Sequence, residues 1–240
     1  MQDRYRVAIA DAQSRGADLK VQEFENAVAG SRAVLARSDT EVQRLANSTR
    51  QVYGTFYQLV EAGLTLPDGD EWNAARELAD TLLFADYKKH IRFAALSFDG
   101  IGLSKFGSCS ITLRDDMIAH RASVFDENSV LFMERHDVKA SRKPDIPKGF
   151  RATWNERNKL CVAKLAGRID SSTTPNQYSG LLLKQGALPE DDEFVEVHIF
   201  GPLTVLSMAE VTVTVPKARP KATIVRAIKS KLAKYGVSVS

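Results

Sequence analysis

The chain has few cysteines and no long apolar run. Among its 240 residues, Cys109 and Cys161 are the two cysteines. They lack CxxC or zinc-ligand spacing, so we expect buried free thiols rather than a disulfide or a metal site. The longest apolar stretches, 93–98 and 195–205, are well short of the roughly 20 residues that span a bilayer, which predicts no transmembrane helix and no membrane partner. The polar, charged N-terminus has no apolar signal segment, so we expect a cytoplasmic protein.

Signature motifs of several enzyme classes are also missing. The sequence contains no GxxxxGK[ST] loop, no GxSxG nucleophile elbow and no HExxH zinc motif. The glycine-rich segment 100–107 has its third glycine misplaced for a GxGxxG dinucleotide loop, which favours a turn between strands. The four histidines show no paired metal-binding spacing, so no metal site is predicted.

Charge is distributed unevenly along the chain. The formal net charge is +3, but the last 25 residues, 216–240, carry seven Lys or Arg and no acid, which leaves the other 215 residues at −4. In this tail, Ile224, Ile228 and Leu232 recur at helical spacing and predict a helix near 222–234 that docks by its apolar face. Binding of nucleic acid through the basic residues is the alternative.

Residues 1–88 are predicted to be helical, since their apolar side chains recur at helical spacing. One stripe covers 42–60. It follows a capping-box sequence at 38–41 and precedes Gly63, where a helix C-terminus is expected, so these signals predict a single helix.

Helices flank this stripe, and strands follow. An earlier helical stretch over 19–35 is interrupted at Gly30, and residues 72–83 predict another helix after a turn at 66–70. From His90 onward, strand patterns separated by Gly and Pro replace the helical stripes. The candidate strands are 91–98, 107–113, 121–125, 194–200 and 203–215.

The order of these patterns predicts an α+β protein in three parts. The helical N-terminal part, 1–88, precedes a mixed α+β part, 89–215, and the basic helical tail, 216–240, ends the chain. A helix at 152–167 interrupts the strands, and the polar stretch 171–192 reads as a long surface loop.

Three segments carry residues suited to chemistry. The first, 106–113, is a small-residue strand entry. The second, 121–129, combines a cation with hydroxyl and amide groups: Arg121, Ser123, Asn128 and Ser129. In the third, 194–200, period-2 alternation places Glu196 and His198 on one strand face. A carboxylate and an imidazole are costly to bury there unless they are paired or face a cleft.

The order of these segments resembles ADP-ribosyltransferase-like domains of bacterial polymorphic toxins and phage-head-associated proteins. The patterns are YG-x-x-x-[VI]-x-L, R-[AT]-[ST]-x-[FT]-x-x-[DN]-S and [YF]-[VI]-E-x-[QH]-I-x-G-x-L, and the matching stretches are 106–129 and 193–213. The chain has Phe106 where Tyr is usual, Asn128 where Asp is usual, and no Gln or Glu two residues before Glu196. The resemblance implies a split, mixed β-sheet with a cleft that holds NAD.

The resemblance also implies roles for the residues. NAD would be consumed as a substrate, and its ADP-ribose would pass to a macromolecule. Glu196 would stabilise the positive charge that develops on the ribose as nicotinamide leaves, and His198 would orient Glu196 or contact the acceptor. Arg121 would bind the phosphates. Three polar residues would fix the ribose, the nicotinamide amide or the strand geometry: Ser123, Asn128 and Ser129.

The implied setting is a cytosolic toxin or phage-defence effector with a protein or nucleic-acid acceptor, and an antitoxin or chaperone as a further partner. Two other functions stay open: a catalytically silent scaffold with the same fold, and a nucleic-acid-binding protein that uses the basic tail. The residues also have structural interpretations. Glu196 and His198 could be a solvent-facing pair, Arg121 could pair with Asp115 or Asp116, and 123–129 could be a turn.

Overall fold

Helices and a central sheet make up the chain, as the α+β prediction states. The computed structural model describes residues 1–63, 71–139, 141, 144–214 and 221–240, with only the backbone of Lys221. The helices are α1 (Gln2–Ser14), α2 (Asp18–Ala29), α3 (Asp39–Leu45), α4 (Phe56–Glu61), α5 (Glu71–Phe84), α6 (Asp115–Ile118), α7 (Ser129–Arg135), α8 (Arg157–Leu165), α9 (Tyr178–Leu182) and α10 (Lys221–Leu232). The strands are β1 (Arg32–Arg37), β2 (Ile91–Ser97), β3 (Cys109–Leu113), β4 (Ala122–Phe125), β5 (Arg151–Thr153), β6 (Leu183–Lys184), β7 (Glu193–Phe194), β8 (Glu196–Phe200), β9 (Met208–Val213) and β10 (Ser238–Val239).

Across these described ranges, eight strands pair into one sheet in the order β10-β9-β3-β1-β2-β8-β4-β5. Its neighbours are antiparallel except for β9 and β10, which are parallel. Strand β8 lies between β2 and β4, so His198 is opposite both Phe93 and Ser123 in the register. The short strands β6 and β7 pair separately.

Strand β1 contradicts the prediction that residues 1–88 are all helical. It occupies the middle of the sheet, between β2 and β3. The cause of the error is its burial: residues 33–36 are all buried, on both faces of the strand. A strand covered on both faces shows a continuous apolar run rather than alternation, and such a run cannot be told from a buried helix by its period.

The single helix predicted over 42–60 is also wrong, because α3 ends at Leu45 and α4 begins only at Phe56. The polar run 47–51 separates them, and Thr55 starts α4 with a capping box of its own. The helix start predicted at 38–41 and the helix end predicted at Gly63 agree better with the structure. Ser38 accepts a hydrogen bond from the Glu41 backbone N–H, although the Glu41 carboxylate bonds Arg44 instead of returning to Ser38.

Most later predictions agree with the structure within a few residues. Predicted strands 91–98, 107–113 and 121–125 correspond to β2, β3 and β4. Strand β9 starts only at Met208, and the helix predicted from 152 starts at Arg157 because β5 precedes it. The predicted loop 171–192 contains α9 and β6. The predicted turn at 66–70, Pro216 and Pro220 lie outside the described residues.

Two layers of helices cover the sheet. Helices α1, α2 and α8 pack together on the face that receives Val197 and Ile199 of β8. Helices α5 and α7 pack on the opposite face around Phe125. The larger core contains residues from all three predicted parts, including Ile228 and Leu232 of α10, which are fully buried. The predicted docking of the tail helix by its apolar stripe is therefore confirmed.

Both cysteines are free and buried, as expected from the sequence. Burial raises the pKa of Cys109 to about 11 and that of Cys161 to about 12, so neither thiol is activated. Within the described ranges, no helix combines the length and apolar character needed to cross a bilayer.

Candidate functional site

Glu196 and His198 form a buried hydrogen-bonded pair on β8. Each is only 2% exposed, whereas Val197 and Ile199 point into the core on the other face. His198 Nε2 lies 2.9 Å from Glu196 Oε2. The prediction from alternation that the two residues share a face is confirmed, and the alternative of a solvent-facing pair is wrong. Helices α5 and α7 cover this face, which takes the pair out of water.

Two further groups bind the Glu196 carboxylate. The backbone N–H of Ser129 donates to Oε2 at 3.1 Å, and the Arg76 guanidinium donates to Oε1 through both terminal nitrogens at 3.3 Å. Burial by itself raises the pKa of Glu196, but the charge of Arg76 and the hydrogen bonds from His198 and Ser129 outweigh it and lower the pKa to about 2. Glu196 is therefore ionised at neutral pH.

Arg76 belongs to a charged network that the sequence analysis missed. Its Nε lies 3.4 Å from Asp80 Oδ1 one turn further along α5, and its guanidinium lies 4.0 Å from the centre of the Phe93 ring. Tyr57 of α4 donates to the other Asp80 oxygen at 2.7 Å. Burial raises the pKa of Asp80 against the opposing effect of Arg76. The i,i+4 spacing of Arg76 and Asp80 was the available sequence signal, but it is also typical of exposed helix pairs.

A cleft of about 370 Å³ opens over His198. The described residues with polar side chains in its lining include Arg121, Ser123, Arg151 and His198. The end of α5 and the segment after it supply apolar and aromatic walls, including Phe84 and Tyr87. Glu196 lies beneath His198 and connects to the cleft through the imidazole.

The surroundings of His198 define its tautomer. Burial lowers the pKa of His198 more strongly than Glu196 raises it, so the ring is neutral near pH 7. Arg151 Nη2 lies 3.4 Å from Nδ1, and a guanidinium can only donate. We therefore assign the proton to Nε2, which donates to Glu196, and a lone pair to Nδ1, the atom beside Arg151. The rings of Phe84 and Phe93 hold the imidazole edge-to-face at 4.8 and 5.3 Å between centroids.

Arg121 lines the cleft, but two of its three guanidinium nitrogens already donate hydrogen bonds to backbone carbonyls. Nε donates to Met117 O at 2.9 Å, and Nη1 donates to Phe200 O at 2.7 Å and Pro202 O at 2.9 Å. These bonds attach the end of β8 to the segment before β4. The alternative of an ion pair with Asp115 or Asp116 is wrong, because Arg121 bonds backbone carbonyls and Asp115 pairs with Arg32 and Arg157.

The remaining predicted residues occupy different positions around the pair. Ser123 is opposite His198 on β4 and lines the cleft. Asn128 is the N-cap of α7, where its side chain accepts from the backbone N–H groups of Val130 and Leu131. Ser129 contacts Glu196 through its backbone, and its buried hydroxyl has no hydrogen-bond partner among the described residues.

Neither metal-binding groups nor comparisons with known proteins assign a function to this site. Among the described residues, no group of three or more His, Cys, Asp or Glu side chains could hold a metal ion. A scan against models of protein families finds no match to this chain, and a search of curated proteins finds none either. Any function must therefore be argued from the geometry of the site.

Proposed function

We propose that the chain binds NAD in the cleft over His198 and transfers ADP-ribose to a macromolecular acceptor, as an ADP-ribosyltransferase-like protein. The observation that supports this proposal most is that residues from distant segments of the chain lie together at one site. Glu196 and His198 lie together on β8, Ser123 faces His198 from the neighbouring strand, and the backbone of Ser129 binds Glu196. These residues are distant in sequence, and all belong to the segments on which the resemblance rests.

The chemistry would proceed by breaking the bond between nicotinamide and the ribose. Its electron pair leaves with nicotinamide, and positive charge develops on the sugar. A carboxylate held ionised in a water-poor site stabilises such charge. Glu196 has this property, since its pKa is lowered to about 2. Its negative charge would act on the sugar across the imidazole ring of His198.

His198 would handle the proton. As the acceptor nucleophile forms its new bond to the ribose and Arg151 Nη2 moves away from His198 Nδ1, the proton of the nucleophile would pass to the lone pair of Nδ1. The resulting imidazolium would be stabilised by Glu196, which already accepts the Nε2–H hydrogen bond at 2.9 Å. Atoms and charge balance: nicotinamide leaves as a neutral molecule, and the proton stays on His198.

The same geometry favours a second candidate, a catalytically silent interaction or scaffold protein with the same fold. Both oxygens of Glu196 are already bonded, to Arg76 on one side and to His198 and Ser129 on the other. A fully satisfied buried ion pair is also what a purely structural role produces. In this case the contacts of Glu196 would only join α5 and α7 to β8, without binding or turnover of NAD.

Transfer of labelled ADP-ribose from NAD to proteins and nucleic acids of a cell lysate tests the proposal. Glu196→Gln should lower the rate roughly a hundredfold to a thousandfold, the scale of one lost electrostatic contact in a transition state. Glu193→Gln is the matched control, because it makes the same change in a carboxylate that pairs with Arg168 and contacts neither Arg76 nor His198. It should change the rate less than about threefold at equal folded concentration.

Two results would contradict different parts of this proposal. Equal rates for wild type and Glu196→Gln would remove Glu196 from the chemistry. Absence of both transfer and calorimetric NAD binding in the folded wild-type protein would favour the silent scaffold. Nucleic-acid binding that weakens steeply with salt would instead support the basic tail as the functional element.

A further inference from the structure

We infer that the cleft over His198 is half of a bipartite site, in which Arg151 binds the diphosphate of a ligand whose two ends lie in adjoining cavities. This inference deepens the proposed function and rests on it for naming NAD as the ligand. It assigns phosphate recognition to a residue on the edge strand β5, outside the segments on which the resemblance rests.

A second cavity lies next to the cleft over His198. It has a volume of about 280 Å³, and its walls include Phe125, Lys148 and Phe150. Leu83 and Arg151 line both this cavity and the cleft over His198. The two cavities therefore adjoin along the Arg151 side chain, and a ligand that fills both must pass it.

The charge of the lining fits an anion at this position. Among the described residues that line the two cavities, Arg121, Lys148 and Arg151 are cations and none is Asp or Glu. A guanidinium binds phosphate oxygens through paired, charge-assisted hydrogen bonds. Arg151 suits this role better than Arg121, whose Nε and Nη1 already donate to backbone carbonyls.

Aromatic rings hold the Arg151 guanidinium in place. Its central carbon lies 5.1 Å from the centre of the Phe84 ring and 5.4 Å from that of Phe125. Through Nη2 it also reaches His198 at 3.4 Å. A phosphate bound to Arg151 would therefore place the neighbouring ribose beside His198, which assigns the reacting half of NAD to the larger cavity and the adenosine half to the smaller one.

The wall of the smaller cavity is anchored from outside. Arg4 of α1 donates to the carbonyl oxygen of Gly149 at 3.0 Å and to Asp126 at 2.9 Å, and its guanidinium lies 3.9 Å from the centre of the Phe150 ring. Gly149 has a φ of +93°, a conformation that favours glycine. These contacts attach the segment before β5, which forms a wall of the second cavity, to α1 and to the end of β4.

Calorimetry with ADP-ribose and inorganic pyrophosphate tests the site. Arg151→Gln should lower the affinity for both probes about 10- to 100-fold, because charge-assisted hydrogen bonds are lost. Ile146→Trp, which fills the smaller cavity, should lower the affinity for ADP-ribose by at least about tenfold and the affinity for pyrophosphate by less than about threefold. Arg168→Gln is the control, since this arginine pairs with Glu193 and lines neither cavity. It should bind both probes as wild type does.

The outcomes separate this inference from the proposed function. If wild type transfers no ADP-ribose yet binds it in an Arg151-dependent way, the transferase fails and the bipartite site stands. If wild type transfers ADP-ribose and Arg151→Gln keeps the same KM for NAD, the transferase stands and the site is wrong. Unchanged ADP-ribose affinity in either Arg151→Gln or Ile146→Trp, or no binding of ADP-ribose to wild type, would also overturn the site.

Discussion

Arg76 and Glu196, 120 residues apart in the chain, form an ion pair at 3.3 Å beneath His198. The pair joins helix α5 to strand β8 and contributes to keeping the carboxylate ionised. It also fixes the position of α5, whose C-terminal end forms one wall of the cleft. Stability and the candidate chemistry thus depend on the same contact, and experiments on this site must measure both.

Acid should destabilise the protein through Glu196. Because its pKa falls from 4.5 to about 2 on folding, the native carboxyl binds protons more weakly than the unfolded one. Its stabilising contribution is complete above about pH 4.5 and is lost as the pH falls towards 2, a loss of about 3 kcal/mol. Urea unfolding of wild type and Glu196→Gln between about pH 5 and pH 2.5 should show the flatter pH dependence in the variant. Parallel curves would contradict this prediction.

Removing the two partners of the ion pair should not be additive. Arg76→Gln leaves Glu196 and Asp80 buried without their cation and should cost roughly 3 to 5 kcal/mol of unfolding free energy. The double variant Arg76→Gln, Glu196→Gln should cost less than the sum of the single variants by roughly 1 to 3 kcal/mol. The exposed pair Arg168 and Glu193 is the control cycle, with a coupling of less than about 1 kcal/mol. Additivity at the buried pair would show that the contact is energetically silent.

Arg121 should prove to be a structural residue. Arg121→Lys keeps the positive charge but cannot reproduce the hydrogen bonds to Met117, Phe200 and Pro202. We expect a loss of about 1 to 3 kcal/mol in unfolding free energy, with ADP-ribose affinity changed less than about threefold. Chemical unfolding and calorimetry measure the two effects. A large loss of affinity at unchanged stability would return the phosphate role to Arg121.

The sequence predicted the parts of the site that depend on local periodicity. The alternation of β8 places Glu196 and His198 on one face because a strand repeats every two residues. Capping chemistry predicted Ser38 as a helix start for a similarly local reason. The convergence of β8 with the segment 123–129 followed from the order of three motifs, with no local pattern to support it.

The missed features depend on tertiary packing. Arg76 became a partner of Glu196 only because α5 crosses the sheet above β8, and no local pattern specifies which helix covers which strand. Asp80 is buried although its spacing suits a solvated pair, whereas the apolar Leu78 is 38% exposed. Strand β5, which starts at Arg151, has only three residues and is too short for its alternation to be recognised. The missed ion pair and the missed strand β5 both belong to the candidate site, where contacts between segments distant in sequence determine the structure.

The basic tail should act through its apolar face. Ile228 is fully buried in the core, so Ile228→Ala should lower the unfolding free energy by about 2 to 4 kcal/mol. The adjacent exposed Lys229 is the matched control, and Lys229→Ala should change the unfolding free energy by less than about 0.5 kcal/mol. Chemical unfolding measures both variants, and fluorescence polarisation with a labelled single-stranded oligonucleotide measures their binding at low and high salt. Loss of salt-dependent binding in Lys229→Ala, at unchanged stability, would show that the helix serves a nucleic acid partner as well as the core.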